Sequence, residues 1–165
     1  MFAKLHPSLI IMLMTGSTAL AALATAWTAQ YGFGLYPCEL CLYQRLPYIG
    51  VVCLSALTFM PIVDPKARQL ACFICGLLFL TTASIAFFHI GVEKEWWQSV
   101  CAPAGGQSFS INDIRSALLQ PGLPACNDIQ FTLLGLPMTV YNMFFGLIFS
   151  AASLCSARNE TFWCE

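Results

Sequence analysis

Charge is nearly absent from long stretches of this sequence, and that absence constrains the fold more than any motif does. Only 9% of the 165 residues are Asp, Glu, Lys or Arg and 58% are hydrophobic, where an average soluble domain carries roughly 25% charge. The apolar residues gather in four runs, at about 8–28, 46–63, 69–90 and 131–156, and a helix needs roughly 20 such residues to cross a bilayer. With no water in the hydrocarbon core, each spanning segment must satisfy its own backbone polar groups, as a helix does. The expectation is an all-α integral membrane four-helix bundle, with residues 1–165 forming a single domain. The first run is too long for the apolar stretch of a cleavable signal peptide, and three more follow it. Within it Gly16, Ser17, Thr18 and the alanines after them predict a face that lets a neighbouring helix approach closely. A net charge of -1 offers no basic stripe for phosphate backbones, which excludes nucleic-acid binding as the central function.

The connections have distinct characters. Residues 31–37 are rich in glycine and aromatics, with Trp27, Tyr31 and Tyr36 suited to a membrane interface. Pro47 is expected in the first turn of the second span, where its missing N–H costs little. Residues 60–68 read as a tight polar turn. Cys72 and Cys75 are spelled as a Cys-x-x-Cys but lie within an apolar helix, where cysteine usually packs as a small hydrophobe. The loop at 91–130 is the one sizeable segment outside the membrane. Ile111, Ile114, Leu118 and Leu119 recur there at helical spacing behind Ser110 or Asn112 as caps, predicting a short amphipathic helix. Pro137 marks a kink or a late start in the fourth span. Lys4, Lys66, Arg68 and Arg158 fall on the side of the two termini, against Lys94 and Arg115 on the loop side. That bias predicts both termini in the cytoplasm and the loops at 29–45 and 91–130 outside it.

On the outer side the sequence then places Cys38, Cys41, Cys101 and Cys126, in the compartment where disulfides form and persist. Cys38-Glu39-Leu40-Cys41 is a Cys-x-x-Cys at the mouth of the second helix. Such spacing closes a small disulfide ring and often lowers the pKa of one thiol. Arg45 follows Cys41 by four residues, one turn along the same face, so the positive helix end and the guanidinium are both expected to favour a thiolate at Cys41. Two pairs on one side suit a disulfide relay, one pair meeting a partner and the other an electron sink. Permanent structural disulfides are the competing reading. A zinc site is disfavoured because the second pair is not closely spaced, and no metal ligand is assigned.

The stretch Pro37-Cys38-Glu39-Leu40-Cys41-Leu42-Tyr43-Gln44-Arg45, then His89-Ile90-Gly91-Val92-Glu93 before Trp96 and Trp97, the loop cysteines, and Leu134-Gly135-Leu136-Pro137-Met138 together resemble the DsbB family of disulfide bond formation proteins over nearly the whole chain. The resemblance implies a quinone-dependent membrane thiol oxidase of the bacterial inner membrane that reoxidises a soluble periplasmic DsbA-type thioredoxin-fold oxidase. It implies that Cys101 forms the mixed disulfide with the partner, that Cys126 resolves it and links transiently to Cys38, and that Cys41 lies beside a ubiquinone or menaquinone ring. Arg45 and His89 would be the quinone neighbours. Gln44 stands where other members can carry an acidic residue, and no tryptophan precedes Asn142. Two alternatives remain at this point, a vitamin K epoxide reductase-like enzyme and a non-enzymatic tetraspan scaffold. The early position of Cys38 and Cys41 counts against the first.

Overall fold

The computed structural model describes residues 6–97, 126 and 131–163. Cys101, the amphipathic segment expected within 110–119, and Cys164 lie outside the described residues. Among the described residues four long helices carry the structure: α1 (Pro7–Trp27), α2 (Glu39–Leu57), α3 (Pro65–Glu93) and α4 (Met138–Arg158). Each is long and apolar enough to cross a membrane, so the chain is a multi-pass membrane protein built as an all-α bundle.

α1 starts at Pro7, whose missing N–H is no loss in a first turn, and the His6 ring accepts from the Ser8 amide. Its buried stripe of Ser8, Met12, Thr15, Ala19 and Leu23 repeats at helical spacing. The Thr15 and Thr18 hydroxyls donate to the carbonyls of Ile11 and Thr15 at 2.8 Å, which removes two polar groups from lipid. The small-residue face does what its composition predicts, since a Cβ on Gly16 would stand 2.8 Å from the Ser55 Cβ of α2. A π-helical turn at Thr28–Gly32 ends the segment.

α3 makes its most extensive contact with α4, while α1 scarcely touches α4. Lipid tails are as apolar as the side chains, so close packing rather than a hydrophobic force holds such helices together. Gly76 faces Leu154, and Gly146 sits against Ala83 and the Phe79 carbonyl. Ser150 donates to the Gly76 carbonyl at 2.9 Å, and Tyr48 and Phe79 meet edge to face with centroids 5.9 Å apart. Cys72 and Cys75 are fully buried in this core with free thiols.

Three helices differ in their bounds from the sequence expectation. α2 begins at Glu39 rather than 46 and ends at Leu57, because Cys38 caps it. Glu39 and Arg45 kept its first turns out of the apolar run. Pro47 is therefore inside α2, not in its first turn, and removes one backbone bond there. α3 extends to Pro65 and Glu93, a turn beyond its apolar run. α4 begins at Met138 rather than 131, with Pro137 as its N-cap. The residues before it form a small hairpin that pairs Thr132 with Pro137 and Leu133 with Leu136. Its tip holds Leu134 at φ 51° and Gly135 at φ 81°, the left-handed pair a two-residue type I′ turn requires.

A cysteine and histidine site at one end of the bundle

The N-terminus of α2, the C-terminal turns of α3 and the N-terminus of α4 meet at one end of the bundle, and the chemistry gathers there. Cys38 is the N-cap of α2, in extended conformation, and its Sγ accepts the Cys41 amide at 3.4 Å. This is the position in which a serine or aspartate oxygen would ordinarily satisfy a free N–H. Cys41 follows one turn later with its Sγ 3.1 Å from that of Cys38, and both are free thiols. His89 Nε2 from α3 stands 3.7 Å from Cys38 Sγ, 3.2 Å from the Cys126 carbonyl and 3.7 Å from Glu93 Oε1. Cys126 is disulfide-bonded. It lies 1% exposed in an apolar cluster with Cys38, Leu40 and Val92, flanked by Cys41 and Trp97.

The Cys38 thiol is held down to about 4. The hydrogen bond with Cys41 is the largest cause, burial opposes it, and the His89 ring and the Cys41 amide add to the lowering. The sequence expectation favours a thiolate at Cys41, and the Cys41 thiol, the His89 ring and the Cys41 amide around the cap cysteine favour negative charge on Cys38 as well. Two thiols in contact cannot both carry charge, so the pair titrates as a unit.

His89 is held from behind by residues that sequence reasoning did not assign to the site. Its Nδ1 is 3.1 Å from Gln44 Nε2. Gln44 Oε1 accepts from Asn142 Nδ2, and Asn142 Oδ1 accepts from the Tyr48 hydroxyl at 2.6 Å. Read as donors and acceptors, this row leaves the imidazole proton on Nε2, facing Cys38 and the Cys126 carbonyl. Glu93 is held by the Thr139 hydroxyl, which donates to its two oxygens at 2.9 and 2.8 Å. An asparagine and a glutamine inside apolar spans are themselves a signal, because polar groups at that depth usually serve a site.

Beside the thiols lies a cavity of about 600 Å³. Cys38, Cys41, Arg45, Tyr48, His89 and Asn142 reach into it, while Phe145 and Phe149 of α4 and alanines of α1 supply apolar wall. α1 and α4 barely meet, and the cavity falls between them beside the N-terminal half of α2. Arg45 is braced by Gln30 Oε1 at 2.6 Å and the Ala26 carbonyl at 3.5 Å, which fixes its guanidinium at the cavity edge. A second groove, of about 680 Å³ between α2 and α3, is lined by residues such as Leu46, Leu78 and Phe88 and contains no thiol or cation. Of the residues singled out in the sequence, the structure thus brings Cys38, Cys41, Cys126 and His89 together and sets Arg45 beside them.

A family model described as disulfide bond formation protein DsbB matches residues 8–156. An uncharacterized protein of Rickettsia prowazekii is 30% identical over 141 residues, covering 81% of this chain and 78% of its own. The disulfide bond formation protein B of Haemophilus influenzae is 32% identical over 130 residues, covering 73% and 70%. That of Chromobacterium violaceum is 29% identical over 136 residues, covering 76% and 78%. A membrane bundle with paired thiols at one end and a match along most of its length leads to one conclusion: the chain belongs to the DsbB family of disulfide bond formation proteins.

Proposed function

We propose that this protein is a quinone-dependent thiol oxidase of the bacterial inner membrane, with both termini cytoplasmic and the active cysteines periplasmic. It passes electrons from a soluble DsbA-like thioredoxin-fold oxidase to the membrane quinone pool. The observation that carries the reading is the seating of disulfide-bonded Cys126 against the free Cys38 and Cys41 thiols in one buried cluster. Such contact is what exchange between two cysteine pairs requires.

In the relay, a thiolate of the reduced partner attacks Cys101 of a Cys101–Cys126 disulfide and Cys126 leaves as thiolate. Cys126 attacks Cys38 of an oxidised Cys38–Cys41 pair, and Cys41 leaves. The partner's second thiol displaces Cys101, releasing the oxidised partner, and Cys101 then displaces Cys38 from Cys126. The loop disulfide is restored, and two electrons rest on Cys38 and Cys41. A stabilised Cys38 thiolate is a good leaving group in that last exchange.

The cavity suits a quinone because its wall is largely apolar, it adjoins the thiols, and it lies where α1 and α4 part. A quinone of the ubiquinone or menaquinone type supplies a two-electron, two-proton sink. Cys41 faces that sink, Arg45 places fixed positive charge where negative charge develops, and His89 holds a proton on Nε2 beside Cys38. The test is trapping and turnover together. A partner lacking its own resolving cysteine is expected to accumulate a mixed disulfide through Cys101 with the wild-type protein, whose loop disulfide it opens, while Cys126→Ala, with no loop disulfide to open, loses quinone-coupled turnover. Equal trapping through either loop cysteine, or full turnover without Cys126, refutes the relay.

A further inference from the structure

We propose that the reduced site is a redox-gated binding site for a thiophilic divalent cation of the zinc type, held by Cys38, Cys41 and His89. The sulfur atoms of the two cysteines and a ring nitrogen of His89 all lie within 4.8 Å of one another. Two thiolates and an imidazole are the ligands zinc prefers, with bonds of about 2.3 Å to sulfur and about 2.0 Å to nitrogen. A tetrahedral ion with those bonds holds sulfur and nitrogen about 3.6 Å apart and the two sulfurs about 3.8 Å apart. Cys38 Sγ to His89 Nε2 is already 3.7 Å. The sulfurs, at 3.1 Å, have to separate by a fraction of an ångström while Cys41 Sγ, within 4.8 Å of the ring nitrogen, closes on it, both adjustments of the Cys41 side chain. Three protein ligands leave a fourth position for water, the pattern of an accessible site rather than a closed structural one.

The surroundings fit the ion as well. On binding, the two thiols release their protons and Nε2 gives up its hydrogen, so the ring must carry its proton on Nδ1. Nδ1 faces Gln44. Gln44, Asn142 and Tyr48 each own both a donor and an acceptor, so this row can reverse its direction without orphaning a group. Gln44 then accepts from Nδ1–H, the outer contact that orients and strengthens an imidazole ligand. The Glu93 carboxylate, 3.7 Å from Nε2, adds negative charge beside the dication. The gate is covalent: a Cys38–Cys41 disulfide has no thiolate to offer, and a Cys38–Cys126 link removes one of the two. Only the fully reduced pair takes the ion, which then holds electrons back from the cavity.

The experiment uses the full-length wild-type protein in detergent micelles or nanodiscs. Zn²⁺ added to the dithiol-reduced protein is expected to protect Cys38 and Cys41 from maleimide, as read by peptide mass spectrometry. The exposed free thiols Cys53 and Cys155 should label equally with and without metal. Co²⁺ in place of Zn²⁺ should give tetrahedral visible bands and a sulfur-to-cobalt charge-transfer band that falls to about half in Cys41→Ser, with affinity at least tenfold weaker in His89→Ala. These first-ligand losses should equal or exceed the 10–100-fold typical of removing an outer contact. Unprotected Cys38 and Cys41, or a charge-transfer band unchanged in Cys41→Ser, overturns the site. Zn²⁺ should also slow thiol oxidation and a chelator should restore it. That arm alone rests on the oxidase reading, so protection without inhibition would fault that reading and leave the metal site standing.

Discussion

Gln44→Leu isolates the contribution of the buried polar row behind His89. The substitution fills similar volume but leaves His89 Nδ1 without its 3.1 Å partner and Asn142 Nδ2 without its acceptor. In water two orphaned buried groups cost about 1–3 kcal/mol each. Within a membrane the measured average is nearer 0.6 kcal/mol per side-chain bond, because the unfolded helices also find partners. The membrane figure governs here, so a loss of about 1–2 kcal/mol is expected in denaturant unfolding from micelles. Chemistry should move too. Without Gln44 the imidazole proton is no longer kept on Nε2, and Cys38 loses part of the His89 contribution that lowers it. The Cys38 titration, followed by ultraviolet thiolate absorbance against Cys38→Ser, should shift upward by up to about one unit, which corresponds to about 1.4 kcal/mol. It should stay well below 9.0, because the bond with Cys41 is the larger cause. The sign for the parent protein follows from a depressed value. The Cys38 thiolate stabilises the reduced fold in full above about pH 9, and that contribution fades as pH falls through about 4. If Gln44→Leu changes neither stability nor the Cys38 titration, the row does not position His89.

Arg45→Met should raise the quinone KM or lower turnover while leaving partner oxidation in the absence of quinone near wild type; Arg45→Lys should keep part of the activity, since charge survives but the bond to Gln30 is weakened. Steady-state kinetics with varied quinone beside stopped-flow exchange separates the two half-reactions, and a defect confined to partner exchange would remove Arg45 from the cavity's function. Serine scanning of all nine cysteines should abolish turnover at Cys38, Cys41, Cys101 and Cys126 and spare it at Cys53, Cys72, Cys75, Cys155 and Cys164; full activity in Cys101→Ser would contradict the relay. Gly16→Leu should part α1 from α2, where even a Cβ would stand 2.8 Å from Ser55 Cβ, lowering stability by about 1–3 kcal/mol; an unchanged unfolding midpoint would show that this contact yields freely.

Hydropathy revealed the four membrane-spanning helices among the described residues because a missing charge is visible residue by residue, but it misjudged where they end. Glu39 and Arg45 look like loop residues until Cys38 is seen capping α2, and the hairpin before Met138 is as apolar as a span. The redox pair was legible because its two sulfurs are neighbours in sequence. His89 was found through family likeness, while its partners escaped. Gln44, Asn142 and Tyr48 come from two helices distant in the chain, and only packing shows that their side chains meet. Arg45 lies on the face of Cys41 as spacing predicts, and its hydrogen bonds run to Gln30 and Ala26.

The most direct measurement of the central claim is quinone absorbance followed while reduced partner is titrated into the purified protein. One quinone should be consumed per partner dithiol oxidised in the wild type, and none in Cys41→Ser, which can form no Cys38–Cys41 disulfide. Partner oxidation that proceeds without quinone loss over many turnovers, or quinone loss that persists in Cys41→Ser, would contradict a relay that ends at this pair.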